Sequence, residues 1–362
     1  MNGTVMITTG GTGGHVFPGL AVGARLIAKG WRVFWLGTRE GMEARLVPQQ
    51  GLDFESIRFA GVRGKGLRRL VLGPFVLLAA FAQSLKIIRR RAPDVVLGLG
   101  GFASFPGALM GVACRKPLVI HDANAVAGLA NRILAFGADR ILLGFPDALR
   151  GRHAAKVEWV GNPIRPDIAA IAPPEERFAG RNGPLRLLVV GGSLGAVALN
   201  ECAPAALALL APEERPLVTH QAGERHIDAL RAAYAAAGVA AQCVAFLDDM
   251  AKRYAAADLV LGRSGGLTVA ELAAAGVGSV LVPLPGAIAD EQTHNARFLA
   301  DAGAAVLLPQ QELSSQRLAE ILRGCSRERL LAMAKAARAL SRPDATELVA
   351  DACIAEARKL AP

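Results

Sequence analysis

A glycine-rich turn near residue 265 carries the clearest chemical signal in the sequence. Leu259–Leu261 is short, apolar and partly β-branched, as a buried parallel strand is, and Thr268–Ala275 is good helix sequence. Between them lie Gly262, Gly265 and Gly266, which let a ligand approach the backbone closely. The first amides of the helix and the positive end of its dipole would face that ligand. The turn therefore predicts a binding site for an anion, most simply a phosphate.

Glu271 supplies a carboxylate close to this predicted phosphate site. A carboxylate can accept two hydrogen bonds from a ribose diol, so the turn and Glu271 together fit a nucleotide. Thr268 and Glu271 also have the spacing of a capping box, in which the glutamate only satisfies a backbone amide at the helix start. The pattern leaves both interpretations open.

The first glycine turn along the chain lies near the N-terminus. Gly10–Gly14 follows the predicted strand Thr4–Thr8 and precedes a helix that Pro18 is predicted to start and Gly30 to stop. Its glycines do not fit Gly-x-Gly-x-x-Gly, and the next strand, Arg32–Leu36, ends without the acidic residue that a dinucleotide ribose requires. NAD is therefore disfavoured.

The second and third glycine turns along the chain, Gly98–Ser104 and Gly191–Gly195, extend this pattern. Gly98–Ser104 follows a strand that starts at Asp94, so it is expected at the same sheet edge as Gly10–Gly14. Val160–Pro166 contains Gly, Asn and two prolines and predicts a hinge. After it, strand Leu185–Val190 and turn Gly191–Gly195 repeat the same order of elements.

The alternation of short apolar strands with helices predicts a doubly wound α/β fold with two parallel-sheet domains. We predict domains at 1–163 and 164–342, with the last helix, Asp344–Leu360, packing back on the first. The other predicted elements are the strands Phe54–Phe59, Leu118–His121, Arg140–Leu143, Pro216–His220, Gln242–Ala245, Ser279–Val282 and Ala305–Leu308 and the helix Gly128–Phe136.

Composition excludes several classes of function. The five cysteines are odd in number, scattered and without a Cys-x-x-Cys pair, which argues against redox or metal chemistry. Thr4–Ile7 begins a strand with no preceding secretory signal, so we expect a cytosolic protein. No Asp-x-Asp occurs, so a metal-chelating device for a sugar diphosphate is missing and Arg165 with helix dipoles would have to serve.

Most of the formal net charge of +10 lies in Ser56–Ala92, which has nine basic and no acidic residues, leaving 10 − 9 = +1 elsewhere. Within it, Leu70–Leu85 is uncharged, but Gly73-Pro74 interrupts a run already shorter than the ~20 residues of a membrane span. A basic rim around apolar side chains suits docking on an anionic membrane, and a core helix with solvated ends fits equally. Nucleic acid is disfavoured because no aromatic residues alternate with the charges.

Six motifs, in order along the whole chain, resemble the MurG family of bacterial glycosyltransferases. The motifs are Gly10–Pro18, Gly100–Phe102, His121–Asn124, Gly161–Arg165, Gly191–Ala196 and Arg263–Glu271. That family transfers GlcNAc from UDP-GlcNAc to lipid I, undecaprenyl-pyrophosphoryl-MurNAc-pentapeptide, to give lipid II. The resemblance implies a GT-B fold of two Rossmann-like domains facing across a cleft, inversion at the anomeric carbon, no metal or other cofactor, and a peripheral position on the cytoplasmic face of the inner membrane.

The resemblance also implies a donor site, mainly on the second domain. Ser193 and the Gly266–Thr268 amides would hold the diphosphate, Leu247 would line the uracil, and Glu271 would bind the ribose. The full implied set is Thr12, Gly13, Gly14, Asn124, Arg165, Ser193, Leu247, Gly266, Leu267, Thr268, Val269, Ala270, Glu271 and Gln292.

An inverting transferase needs one base to deprotonate the acceptor's 4-hydroxyl. His15 is the first candidate, because the dipole at the helix start would lower its pKa and favour the neutral form. Asp122 is the second, and His15 as a plain acceptor-binding residue remains an alternative. The sequence departs from the family pattern at Asp122-Ala123, where Glu-Gln is usual, at Glu291, where a second glutamine is usual, and at Phe102–Pro106.

A lipid-linked acceptor requires a membrane-facing surface, so the resemblance favours membrane contact by Leu77, Leu78 and Phe81. Other wall-synthesis and division proteins are further expected partners. Three alternatives remain: a related transferase acting on another lipid such as diacylglycerol, a UDP-GlcNAc 2-epimerase, and a nucleotide-sugar-binding scaffold without turnover.

Overall fold

The chain folds into two compact units. The computed structural model describes residues 3–11, 13–59, 67–149, 154–192 and 195–359. One unit comprises Met1–Arg165 and Arg342–Pro362, and the other Pro166–Ser341. The chain therefore passes between the units twice, at Arg165/Pro166 and at Ser341/Arg342.

The units are built from alternating strands and helices. The strands are β1 (Thr4–Thr8), β2 (Arg32–Thr38), β3 (Asp53–Ile57), β4 (Val95–Gly98), β5 (Leu118–Asp122), β6 (Arg140–Leu143), β7 (Val157–Trp159), β8 (Arg186–Val190), β9 (Leu217–Gln221), β10 (Gln242–Val244), β11 (Leu259–Gly262), β12 (Gly278–Leu281) and β13 (Ala305–Leu307). The helices are α1 (Gly13–Ala28), α2 (Glu43–Gln49), α3 (Leu67–Arg91), α4 (Ser104–Ala113), α5 (Leu129–Leu134), α6 (Pro166–Ala169), α7 (Pro174–Phe178), α8 (Val197–Ala208), α9 (Ile227–Ala236), α10 (Met250–Ala256), α11 (Gly266–Ala275), α12 (Glu291–Ala300), α13 (Ser315–Arg323), α14 (Arg327–Ala339) and α15 (Ala345–Arg358).

The first unit contains a parallel sheet in the order β3-β2-β1-β4-β5-β6-β7. Both faces are covered, and the alternation of side chains along β1 shows how. Val5 and Ile7 pack with α1 and α15 on one face, whereas Met6 packs with α3 and α4 on the other. Because each strand is buried on both sides, it appears in the sequence as a continuous apolar run.

The second unit repeats this plan with a parallel sheet in the order β10-β9-β8-β11-β12-β13. Its principal core joins Leu187 and Val189 of β8 to helix residues such as Leu199 of α8, Leu318 of α13 and Leu330 of α14. The predicted doubly wound α/β fold is confirmed by this arrangement.

The strand order reverses once in each sheet, between β1 and β4 and between β8 and β11. In open α/β sheets, ligands bind outside the carboxyl ends of the strands at such a reversal. The four glycine turns of the sequence follow these four strands, so each unit brings two of them to its own reversal point.

Two sequence predictions about helices are wrong, and one strand was not predicted. α1 begins at Gly13, and Pro18 lies inside it instead of starting it. α3 runs through Pro74 without a break, so Gly73-Pro74 does not interrupt it. A proline inside a helix removes one donor, and both helices bury one face against the sheet, which offsets that loss. The short strand β7 was not predicted.

The two chain crossings contact each other within the first unit. The Arg342 guanidinium lies 3.9 Å from the centroid of a Trp159 ring. Gly161 has φ +87°, and a Cβ there would overlap with the Cβ of Arg342, so only glycine fits this position. After this contact α15 packs on α1, where Glu347 pairs with Arg25 and Lys29 and Val349 lies in the core.

Candidate active site

The start of α11, in the second unit, is the place where the sequence predicts an anion site. Gly265 caps the helix with extended backbone angles (φ −61°, ψ 147°), and the amide of Val269 makes the first helical bond, to the Gly265 carbonyl at 3.0 Å. The amides of residues 266–268 therefore precede the first bond within the helix, where an anion is favoured. Thr268 is the third residue of the helix and not its cap, so the capping-box interpretation is wrong.

Glu271 lies on the same helix, and its side chain is only 7% exposed. Its Oε2 accepts a hydrogen bond from the hydroxyl of Tyr254 at 3.3 Å, and Tyr254 is itself buried. The tyrosine thus fixes the carboxylate one helical turn after the anion site. Val269 offers a ligand little, because its amide is engaged and its side chain is buried.

Buried polar side chains hold the strand–helix turn before α11. The Ser264 hydroxyl donates to the Gln292 carbonyl at 2.8 Å, and Asn295 Nδ2 donates to the Ser264 carbonyl at 3.1 Å. Gln292 Oε1 accepts the Leu284 amide at 2.9 Å. Sequence reasoning missed Asn295, because its partner is 31 residues away.

A separate polar network supports the other glycine turn of this unit. Gln221 accepts from the Gly192 amide at 3.1 Å and donates to the Gly192 carbonyl at 3.0 Å. Beneath it, His220 bonds to Tyr234 and Asn200, both at 3.0 Å, and burial lowers the pKa of His220 to about 3. The imidazole is therefore neutral and serves as a structural link. Ser193 lies outside the described residues.

The structure limits how Leu247, the predicted uracil contact, could bind a base. The side chain of Leu247 is buried, so only its backbone is available to a base. The preceding Phe246 is 54% exposed at the same edge, just after β10. An exposed aromatic ring is suited to stacking on a base, which makes Phe246 a candidate that the sequence did not single out.

His15 is the third residue of α1 and lies at the strand reversal of the first unit. A Cβ on Gly100 would lie 3.5 Å from its Nε2, so the imidazole packs against the second glycine turn. Burial lowers the pKa of His15, so the direction expected from the sequence holds and its cause is desolvation. Gly13 and Gly14 form the first residues of the helix, whereas Thr12 lies outside the described residues.

Asp122 is buried at the end of β5 and accepts hydrogen bonds from three donors. Its Oδ1 accepts the Asn124 amide at 3.1 Å, and its Oδ2 accepts the Gly128 amide at 3.1 Å and Asn131 Nδ2 at 2.9 Å. Burial raises its pKa, while these hydrogen bonds oppose that rise. Both oxygens are thus engaged in shaping the loop that carries Asn124, which favours a positioning role for Asp122.

His121 ties this loop to the first chain crossing. Its Nε2 is 2.9 Å from the Gly161 carbonyl, and Asn162 Nδ2 donates to the Ala123 carbonyl at 3.0 Å. Burial and, to a smaller degree, the nearby His15 lower the pKa of His121 to about 4, so the ring is neutral and donates through Nε2. Arg165, at the end of this segment, lies 6.0 Å from the Phe17 ring centroid.

Neither unit assembles a cluster of metal ligands from its described residues: no three His, Cys, Asp or Glu side chains are grouped to hold an ion. The two acidic groups of the candidate sites, Asp122 and Glu271, both accept hydrogen bonds from neighbouring donors.

The α3 helix presents a different set of apolar side chains from the predicted one. Leu78 is 62% exposed, as expected, but Leu77 packs on the core and the Phe81 ring lies 6.0 Å from that of Phe105. Phe75, at 66% exposure, and Val76 are also exposed on this helix. No helix in the described ranges is both long and apolar enough to cross a membrane.

The basic end of α3 is partly neutralised. Arg90 pairs with Glu55 at 2.7 Å and Arg91 with Asp53 at 2.6 Å. Both acids lie on β3, just before the segment that the sequence showed to be free of acidic residues. Lys86 and Arg89 remain exposed, and Arg63 and Lys65 lie outside the described residues.

We expect acid to destabilise the first unit through His121. Its folded pKa of about 4 lies below the ordinary 6.5, so between these values the folded state binds fewer protons, and stability falls as the pH falls. From pH 7 to pH 5 this loss is about 2 kcal/mol. His15 acts in the same direction, and Asp122, with its raised pKa, acts in the opposite one.

Replacing His121 by Gln keeps a donor for Gly161 and removes the titration, so H121Q should lose about 2 kcal/mol less than wild type over this pH range. Urea unfolding followed by tryptophan fluorescence measures this, because Trp31, Trp35 and Trp159 all lie in the first unit. Equal pH dependence in both proteins would contradict the assignment.

Comparison with known proteins identifies both units. The model of the glycosyltransferase family 28 N-terminal domain matches residues 5–143, and that of its C-terminal domain matches residues 186–349. A solved structure of MurG from Acinetobacter baumannii has a TM-score of 0.83 and 38% identity, covering 97% of this chain and 99% of that one. A putative UDP-N-acetylglucosamine 2-epimerase from Listeria monocytogenes, at 16% identity and a TM-score of 0.70, shares the fold alone.

Two curated relatives bear the name UDP-N-acetylglucosamine--N-acetylmuramyl-(pentapeptide) pyrophosphoryl-undecaprenol N-acetylglucosamine transferase. The protein from Dechloromonas aromatica is 57% identical over 353 residues, covering 98% of this chain and 99% of its own. The one from Burkholderia multivorans is 58% identical over 354 residues, covering 97% and 95%. The chain has the GT-B fold and belongs to glycosyltransferase family 28 and, within it, to the MurG family.

Proposed function

We propose that this chain is an inverting glycosyltransferase that moves GlcNAc from UDP-GlcNAc to the muramyl 4-hydroxyl of lipid I, giving lipid II. The observation that carries the proposal is the combination on α11: a helix start that favours an anion, followed by the buried Glu271 carboxylate, which Tyr254 holds in place. A diphosphate next to a ribose matches this pair of groups. The names of the full-length relatives support the same donor and acceptor.

In this proposal the second unit binds the donor. Ser193 and the amides of residues 266–268 hold the diphosphate, and Glu271 accepts from the ribose hydroxyls. Phe246 stacks on the uracil while the Leu247 backbone contacts its edge, and Gln292 donates through Nε2 to the sugar. The negative charge that develops on the leaving diphosphate is stabilised by the α11 dipole and its amides, with Arg165 as the implied cationic partner.

The first unit supplies the base. As the acceptor oxygen bonds to the anomeric carbon, its proton passes to His15 and the bond from that carbon to the diphosphate breaks, so UDP leaves with the electron pair. The lowered pKa of His15 keeps the ring unprotonated at neutral pH, as this step requires. Asp122 is the weaker candidate, because three donors already engage its oxygens.

The proposal is tested by incubating the protein with labelled UDP-GlcNAc and lipid I. Formation of UDP and of disaccharide-linked lipid in equal amounts supports it. Transfer to diacylglycerol in place of lipid I would favour a related lipid transferase, epimerised UDP-sugar without transfer would favour an epimerase, and binding without turnover a scaffold.

Replacement of Glu271 by Ala should weaken UDP binding by roughly 10- to 100-fold, the equivalent of losing charge-assisted hydrogen bonds to the diol. Calorimetric titration with UDP and with 2′,3′-dideoxyuridine diphosphate measures this: wild type should prefer UDP, and E271A should bind both equally weakly. Y254F keeps the carboxylate and removes the hydroxyl that donates to it at 3.3 Å, so it should still prefer UDP and lose less affinity than E271A. A preference for UDP that persists in E271A would exclude the ribose contact.

We further propose that the protein sits peripherally on the anionic cytoplasmic face of the inner membrane, with the outward face of α3 against the lipid. Phe75, Val76 and Leu78 supply apolar contact, and Lys86 and Arg89 supply exposed positive charge on the same helix. Interactions with other wall-synthesis and division proteins remain proposals that rest on the family alone.

Two double variants separate lipid contact from core packing. F75S/L78S should lose most binding to phosphatidylglycerol vesicles in a sedimentation assay and keep the wild-type unfolding midpoint, because both side chains are exposed. L77S/F81S should instead lower the free energy of unfolding by about 2–5 kcal/mol, because both side chains pack inward. Unchanged vesicle binding by F75S/L78S would remove the α3 assignment.

A further inference from the structure

Glu43 is a buried carboxylate that neither the sequence motifs nor the proposed chemistry uses. It is the first residue of α2 and is 0% exposed. Its Oε1 accepts from the Thr38 amide at 2.9 Å and from the Thr38 hydroxyl at 2.7 Å, and its Oε2 accepts from the Gly11 amide at 3.3 Å. One carboxylate thus joins the end of β2 to the first glycine turn.

The surrounding glycines leave room for this carboxylate because they have no Cβ. A Cβ on Gly10 or on Gly41 would overlap with the Glu43 carboxylate, and a Cβ on Gly37 would lie 2.6 Å from Glu43 Cγ. Three glycines, two from turns and one from β2, therefore line one side chain. Without the carboxylate, these glycines would border a cavity beneath the turn, which the close packing of protein interiors disfavours.

The second glycine turn closes the opposite side of the first. A Cβ on Gly101 would overlap with the Gly10 carbonyl, and a Cβ on Gly10 would lie 2.9 Å from Ala103 Cβ. Gly10 and Gly11 are thus clasped between Glu43 and the turn after β4, the same turn whose Gly100 contacts His15. The position of the start of α1, and with it of His15, depends on this clasp.

The chemistry of the site requires a carboxylate in particular. All three partners of Glu43 are donors, and an ionised carboxylate is the only side chain here that offers acceptors alone. Among the described residues no Lys or Arg pairs with it, so backbone amides and the positive end of α2 balance its charge. A glutamine would turn an NH₂ group toward one of the donors.

We infer that Glu43 is a positioning residue for catalysis: it holds the first glycine turn so that α1 presents His15 to the acceptor. This inference rests on the proposed function for its catalytic part. The Gly11 amide, which Glu43 engages, is unavailable to a ligand, so the turn contributes by placement of His15 and the α1 start.

The test compares E43Q with T38V. E43Q keeps shape and loses one acceptor toward the turn, so kcat/KM for the lipid acceptor should fall roughly 100-fold, as a displaced catalytic group typically gives. UDP affinity, a property of the second unit, should not change, and a cooperative urea transition of tryptophan fluorescence shows that the first unit is folded. The acidic limb of the pH–rate profile should move to higher pH, because a displaced His15 is better solvated.

T38V removes a donor to the same carboxylate and leaves the Gly11 contact intact, so it should keep activity within a few-fold and the wild-type pH profile. E43D retains the charge but withdraws it by one methylene, and should show the E43Q changes in smaller degree. A purely structural role for Glu43 would move neither the pH limb nor the acceptor kcat/KM beyond the T38V values, and that result would overturn the inference.

A readout independent of turnover separates this inference from the proposed function. The Trp35 indole donates to the Thr9 carbonyl at 3.1 Å, immediately before the turn. E43Q should therefore alter tryptophan emission and speed hydrogen exchange of the 9–14 segment at least about tenfold, whereas T38V should do neither. If wild type transfers no GlcNAc, the proposed function fails while this comparison still decides the role of Glu43; unchanged exchange in E43Q would refute it.

Discussion

Backbone amides at the carboxyl ends of parallel strands are the feature on which the rest of this structure depends. They keep their capacity to bind a ligand only if the glycine turns that carry them neither collapse nor rotate. In three of the four turns a buried polar side chain from a neighbouring element prevents this: Glu43 holds Gly11, Gln221 holds Gly192, and Asn295 holds Ser264. The turns themselves are mostly glycine and so cannot supply such contacts.

The two units hold their glycine turns with side chains of different charge. In the first unit an acceptor-only carboxylate, Glu43, lies beneath the turn. In the second, a neutral amide both accepts from and donates to Gly192. A neutral anchor adds no negative charge where a diphosphate is proposed to bind, whereas a carboxylate is tolerable beside a turn that works with a histidine base.

Burial sets the protonation states throughout the candidate site. It lowers the pKa of His15, His121 and His220, so all three rings are neutral at pH 7. His121 donates to Gly161, and His220 bridges Tyr234 and Asn200, so these two rings are engaged in structural hydrogen bonds. Desolvation therefore both tunes the proposed base and makes the other two histidines structural links.

The sequence by itself determined the order of strands, turns and helices, the doubly wound fold and the family resemblance, because these follow from local apolar runs, glycine placement and motifs of adjacent residues. Only the tertiary structure showed where α11 starts, so that Thr268 lies inside the helix and is not its cap. It also showed that Glu271 accepts a hydrogen bond from Tyr254. It also decided that Leu77 and Phe81 face inward and that Arg90 and Arg91 find partners on β3. Glu43 shows the physical reason most directly, because its contact with Gly11 joins residues 32 positions apart in the chain. The glycines around it come from separate segments, which lie close together only in the folded protein.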